Sequence, residues 1–218
     1  MRSKSRASDK YAGQLVAVNG VSFGAMPRGY WEGELYRPVV GLVERVIRWK
    51  EAATKEGMPE YLQFLELSKK GLLGLIDRWS WRNIIVDVGC DQVLDVYFGA
   101  EAKPSQFVGL KDTGTPVVGD TMGSHGSWAT IAPYSNGTDP AYVPGTATSK
   151  SIDNSASKAA FNIDGTDTVY GAFLKDDDTK SGSAGVLYAS GDFSVSRAVG
   201  SGDTLNVTAT FTQADDGV

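Results

Sequence analysis

Apolar positions recur along this chain with two different periods, and the change between them falls near residue 98. In the front part Val39, Leu42, Val43, Val46, Ile47 and Trp49 return at helical spacing, while Glu44, Arg45, Arg48 and Lys50 fall mostly between them. Pro38 suits the first helical position, where its missing N–H costs nothing, and Gly57 suits the residue past the end. Pro59 opens a second helix with Tyr61, Leu62, Leu65, Leu72, Leu73 and Ile76 as its apolar positions, weakened by Gly71 and Gly74. So short a connection predicts an antiparallel helix pair. Residues 83–98 read equally as a helix, with Asp87, Asp91 and Asp95 in one acidic stripe, or as a strand over Ile84–Val88.

Beyond Phe98 the period shortens to two. Strands are predicted at Gln106–Lys111, Trp128–Tyr134, Ala159–Ile163, Thr168–Lys175, Gly185–Phe193 and Thr204–Thr212, separated by Gly, Pro, Asn, Asp and Ser clusters. The last is the cleanest: Leu205, Val207, Ala209 and Phe211 point inward, and Asn206, Thr208, Thr210 and Thr212 outward. Short strands joined by turns predict an antiparallel sandwich or jelly roll with an exposed threonine-rich surface.

Ahead of the helices, Leu15–Val18 and Val21–Phe23 flank Asn19-Gly20, a strong signal for a two-residue hairpin turn. A hairpin this small needs something to lie on, either the rest of the chain or a neighbour's sheet. The first ten residues are polar and basic, with Arg2, Lys4, Arg6 and Lys10. Gly24–Gly33 reads as an irregular connector. Phe23, Tyr30 and Trp31 on or beside it, with the four basic residues, are the candidate partner-binding set. The expected class is therefore α+β: an N-terminal arm, hairpin and helix pair over residues 1–82 serve attachment. An antiparallel β-sandwich or jelly-roll-like domain over residues 83–218 is displayed. No low-complexity linker separates them, so the hinge near Trp79–Asn83 is expected to be packed.

Charge sharpens that division. The chain has 218 residues and a net charge of −5. Residues 1–82 hold 14 Lys and Arg against 9 Asp and Glu, a balance of +5; residues 83–218 hold 7 against 17, a balance of −10. The acidic part suits an exposed position and makes nucleic acid an unlikely partner; the basic part suits an acidic protein surface. One cysteine, Cys90, excludes an intramolecular disulfide, and no apolar run is long enough to cross a bilayer.

Candidate chemistry is sparse. His125, the single histidine, sits in Asp120-Thr-Met-Gly-Ser-His-Gly-Ser-Trp128, with Ser124, Ser127, Asp112 and Asp120 near it in sequence. Those residue types suffice for a Ser-His-Asp hydrolase, but no Gly-x-Ser-x-Gly turn accompanies them. The simpler reading has His125 and Trp128 fixing a long loop. No metal-ligand spacing, phosphate loop or dinucleotide fingerprint is present, so neither metal nor other cofactor is expected. Asp176-Asp177-Asp178 fits no calcium loop and reads as a solvated hairpin tip. Trp128, Tyr134, Tyr142, Tyr170 and Tyr188 are candidates for stacking on sugars, which keeps a host-surface glycan-binding module open as an alternative.

From Asn83 onward the chain resembles a family of small virion-associated proteins of tailed bacteriophages. The segments that carry it are Asn83-Ile-Ile-Val86 with Leu94-Asp-Val96, Phe107-Val-Gly-Leu110 and Asp120–Trp128, then Asn154-Ser-Ala-Ser-Lys-Ala-Ala-Phe161, Val169-Tyr-Gly-Ala-Phe-Leu174 and Asp203-Thr-Leu-Asn-Val-Thr208. The resemblance covers about three-fifths of the chain and brings no catalytic residue with it. It implies a non-enzymatic structural protein in the virion, assembled in the bacterial host cytoplasm. The partners it implies are other virion proteins (capsid, portal, adaptor or tail), with several copies per particle. A capsid decoration and a tail fibre or adaptor at the head–tail junction are the roles it implies.

Overall fold

The structure, a computed structural model, describes residues 28–213. In chain order its elements are β1 (Arg28–Pro38), α1 (Val43–Lys55), α2 (Glu60–Lys69), β2 (Leu73–Ile85), α3 (Asp87–Phe98) and β3 (Phe107–Lys111). They continue with β4 (Thr130–Ile131), β5 (Ser151–Asp153), β6 (Ala159–Asn162), β7 (Asp167–Lys175), β8 (Leu187–Val199) and β9 (Thr204–Thr212). The strands make one antiparallel sheet in the order β4-β3-β7-β8-β2-β1-β9-β5, with β6 also on β9, curled into a half-barrel. The protein is thus α+β, with β structure dominant.

The inside of the curl is the main core. Trp31 and Leu35 of β1, Trp79 and Trp81 of β2, Leu110 of β3, Phe161 of β6, Leu174 of β7 and Leu205 of β9 all point into it and are nearly or fully buried. Each such side chain contributes roughly 1.5–3 kcal/mol by leaving water. Gly33 is required where β1 crosses the Trp79 indole, because a Cβ there would lie 2.5 Å from the ring.

Two features of the front part differ from expectation. Residues 28–38 form a strand that pairs with β2 on one side and β9 on the other, so the described part of the expected connector, residues 28–33, lies in an inner strand of the sheet. Pro38 is accordingly the last residue of β1, opposite Leu73, and α1 starts at Val43. The second expected helix stops early. The Gly71 N–H bonds to the Ser68 carbonyl and the Leu72 N–H to the Leu67 carbonyl, the paired bonds of a Schellman stop, with Gly71 at φ +64°. Gly57, at φ +75°, ends α1 in the same way. After Gly71 the chain becomes β2, so Leu73–Ile76 belong to a strand.

The expected boundary between residues 82 and 83 falls inside β2, and strands from both sides of it share one sheet. Residues 83–98 divide between the two readings. Ile84 and Ile85 finish β2 opposite β8, and Asp87–Phe98 is helix α3. Gly89 lets α3 lie directly on β8; a Cβ there would sit 2.4 Å from the Tyr188 carbonyl.

The later strands start close to their predicted places, except that the one expected at Trp128–Tyr134 shrinks to the two residues of β4; β8 runs on to Val199, well past the expected end at Phe193, and β5 is an addition. The β9 alternation is present, but its other face is also covered: Thr204, Asn206 and Thr208 are buried. The cover includes the helix pair. Lys50 of α1 donates to the Thr204 hydroxyl and to the Gly202 and Asp203 carbonyls, and Asn162 donates to Gln63 of α2. The expected arm and hairpin, with Arg2, Lys4, Arg6, Lys10 and Phe23, lie outside the described residues.

Candidate functional site

The loop between β3 and β4 brings the candidate chemistry together. Asp112 opens it and Ala129 closes it: the Asp112 N–H bonds to the Ala129 carbonyl at 3.0 Å, and the Ala129 N–H to the Asp112 carboxylate at 2.8 Å. Inside, Asp120 Oδ2 accepts from the Trp128 indole N–H and from the Val117 N–H, both at 2.9 Å. A carbonyl can only accept, so His125 Nδ1–H donates to the Trp128 carbonyl at 2.8 Å. The His125 ring stacks on the Trp128 indole with centroids 4.0 Å apart.

Beneath that stack Trp128 is buried with Met122, Val86, Phe173 and Leu187 in a small second core on the outer face of β7 and β8. Lys111, completely buried, completes the arrangement. Its ammonium donates to the carbonyls of Asp112 and Gly114 and to the Asp192 carboxylate, and it lies 5.7 Å from the centre of the Trp128 ring. Gly114 is at φ +105° with its Cα against the Ser127 carbonyl, a place no side chain can take.

This geometry holds a loop; it does not assemble a triad. Among the described residues no serine hydroxyl bonds to either His125 nitrogen. The Ser127 hydroxyl is spent on the Thr115 carbonyl, and Asp120 bonds the indole rather than the imidazole. Of the sugar-stacking candidates, Trp128, Tyr134, Tyr142 and Tyr188 are buried, and only Tyr170 is substantially exposed. Trp31 is fully buried in the main core beside Trp81, so it is no free anchor; its neighbour Tyr30 is about half-exposed. Asp87, Asp91 and Asp95 do share α3 and are all exposed, and among the described residues no group of three metal-binding side chains is found. The Asp176–Asp178 turn is tied down: Asp176 accepts from Gln92 and the Val186 N–H, and Asp177 from the Thr179 N–H.

Sequence reading missed the buried ionic groups. Lys175 pairs with Asp139 at 3.1 Å, both at most 1% exposed, and the Tyr134 hydroxyl donates to the same carboxylate. Burial raises the Asp139 carboxyl above its usual range, against the opposing pull of Tyr134 and Lys175; burial, Asp139 and the shared hydrogen bond raise the Tyr134 hydroxyl. The tyrosine, the carboxyl and the amine are all sealed from solvent. Lys50 is likewise buried, and desolvation brings its amine down to about 7 despite Asp203. The signal for Lys111 and Lys175 was that each directly ends an apolar strand.

Two clefts adjoin one another, sharing Pro104 and Tyr142 among their walls. One, of about 250 Å³, lies under α3 between Val93, Val96 and Tyr97 and the side chains of Tyr188, Phe211 and Ile152. The other, of about 410 Å³, lies where Pro104–Phe107 meets Ala141–Pro144. Neither is lined by His125, Lys50 or the Lys175–Asp139 pair. No helix among the described residues is long and apolar enough to cross a membrane. No known protein family and no curated protein matches the chain.

Proposed function

We propose that this chain is a non-enzymatic structural component of a tailed-phage virion. It docks through its N-terminal region and projects its β-rich part, as a capsid decoration or as a fibre or adaptor component at the head–tail junction or tail. One observation carries the docking half of this reading. Around the end of the β1–β2 ladder, where the helix pair begins, Val39, Val40, Leu75 and Ile76 are all exposed, Val40 to 97%. Val43 and Leu62 on the helices are exposed too. Apolar side chains grouped at one end of a molecule mark a contact surface, because leaving them in water costs what burying them against a partner recovers.

The remainder of the reading rests on the segments of likeness from Asn83 onward and on the charge split. It is also supported by the way His125, Trp128 and the buried ion pairs are used up in holding the fold. The curled sheet, wrapped around its main core, is taken as a sandwich of the jelly-roll kind, a shape suited to display because its loops gather at its ends.

The test is to quantify the chain in washed virions of the phage that encodes it, alongside a Val40→Asp, Ile76→Asp double variant. The expected result is wild-type chain in every particle and loss of the variant from particles, with the variant's thermal unfolding midpoint unchanged. Absence of the wild-type chain from virions overturns the virion reading; full incorporation of the variant overturns the docking surface.

A further inference from the structure

The two adjoining clefts share five lining residues: Lys103, Pro104, Gln106, Tyr142 and Pro144. Three of the five are polar, and the fold uses none of their side chains. Among the described residues no hydrogen bond or ion pair engages the Lys103 ammonium or the Gln106 amide. The Tyr142 hydroxyl is buried without a hydrogen-bond partner, on a residue only 8% exposed. A buried hydroxyl left unpaired calls for an explanation beyond folding. All three groups can donate a hydrogen bond, and Lys103 brings the single charge found among the lining residues of either cleft. The carboxylates of α3, Asp87, Asp91 and Asp95, line neither.

Away from this shared side the smaller cleft is mostly apolar. Val93, Val96 and Tyr97 of α3 form one wall, and Tyr188 and Phe211 belong to the other. Gln92 also lines it, but its amide already donates to Asp176. Aromatic and aliphatic walls with a few polar groups at one side are the usual make-up of a small-molecule site. That one-sidedness separates an amphipathic ligand from a sugar, whose hydroxyls need partners all round.

We propose that the joined clefts bind a small amphipathic carboxylate, its apolar part between Tyr97 and the Tyr188–Phe211 wall and its carboxylate toward Lys103, Gln106 and Tyr142. The proposal stands apart from the virion reading, since it rests on these clefts alone and is tested on the isolated full chain.

The probe is 4-phenylbutyrate, with 4-phenylbutanol as its uncharged counterpart, each titrated into the chain and followed by amide NMR shifts. Saturable shifts are expected in residues 93–98, 103–107 and 141–143, with the alcohol binding about tenfold more weakly than the acid. Lys103→Met is expected to weaken the acid about tenfold and to leave the alcohol unchanged. Tyr142→Phe removes only the orphaned hydroxyl, so it should weaken the acid while the thermal unfolding midpoint does not fall. Equal affinity for acid and alcohol overturns the carboxylate assignment, as does full affinity for the acid in Lys103→Met. Absence of saturable shifts with either probe overturns the site itself.

Discussion

The sheet's outer surface is covered twice, by opposite means. Over β9 and β6 lies a helix pair whose backbone satisfies itself, so that its side chains are free to pack: Val46, Phe64, Leu67 and Leu72 form a compact cluster with Tyr36 and Trp49 at its margin. Over β7 and β8 lies a loop with almost no regular structure. It spends its polar side chains on its own backbone before it can bury Trp128 and Met122. The comparison teaches that an irregular cover needs more chemistry per residue. Asp112, Asp120, His125 and Lys111 each tie down backbone or indole groups that a helix would pair internally.

If that is right, the loop's indole is as essential as any helix residue. Trp128→Ala removes a buried side chain whose N–H, ring face and edge are all engaged, and is expected to cost about 3–5 kcal/mol in urea unfolding. The cluster residue for comparison is Leu67, fully buried, whose change to Ala is expected to cost about 2–5 kcal/mol. A loss below about 1 kcal/mol for Trp128→Ala would break the comparison, since the loop would then only rest on the sheet.

The helix cover has a weakness of its own in Lys50. Its ammonium is held by three acceptors, and burial brings its pKa down to about 7 from its ordinary 10.5. Between those values the unfolded chain binds the proton and the folded chain releases it, so this residue adds stability as pH rises through the window. The neutral amine keeps its partners, because the Thr204 hydroxyl can turn and donate to it. From pH 7 to pH 9.5 the wild type is expected to gain about 2–3 kcal/mol relative to Lys50→Met, measured as the difference in unfolding free energy. The comparison stops there because above its ordinary 10.5 the unfolded chain loses this proton too; the raised Tyr134, Tyr142 and Tyr188 act in the opposite sense beyond pH 10, but in both chains alike. A flat difference would mean that Lys50 is solvated in the folded state.

The two covers also differ in how much of them could be read from the sequence. The helices are legible through their period and through Gly57, whereas Gly71 reads as a weak point within a helix rather than its end. β9 was legible because one face alternates cleanly. Its other face was not, because Thr204 there, and Asn162 on the neighbouring β6, look like surface residues until Lys50 and Gln63 are brought to them from more than 90 positions away. Trp31 misled for a related reason. An aromatic among glycines resembles a flexible anchor, yet Gly33 is there because the Trp79 ring occupies the space of its side chain. In the β3–β4 loop, the residues that hold it were visible as types but not as partners. Nothing in the spacing of Asp120 and Trp128 distinguishes a carboxylate bonded to an indole from one oriented toward an imidazole.

That last distinction can be measured with the smallest change. His125 contributes one hydrogen bond to the Trp128 carbonyl and one stacked face, and its ring is only partly buried. His125→Ala is therefore expected to cost about 1 kcal/mol, the net worth of one hydrogen bond with some lost contact. The deeper contacts of Trp128 with Asp120, Phe173 and Lys111 do not pass through the imidazole, so the indole should stay in place. The signature that separates a loop-holding histidine from a mere surface one is local. Amides of Gly119–Trp128 should exchange faster in the variant, with those of β7 unaltered. His125→Gln, whose side-chain amide can still donate to the carbonyl, should restore part of the protection. Equal exchange in both variants would locate the contribution of His125 in the stack alone, and would leave the Asp120–Trp128 bond as the fastening of this cover.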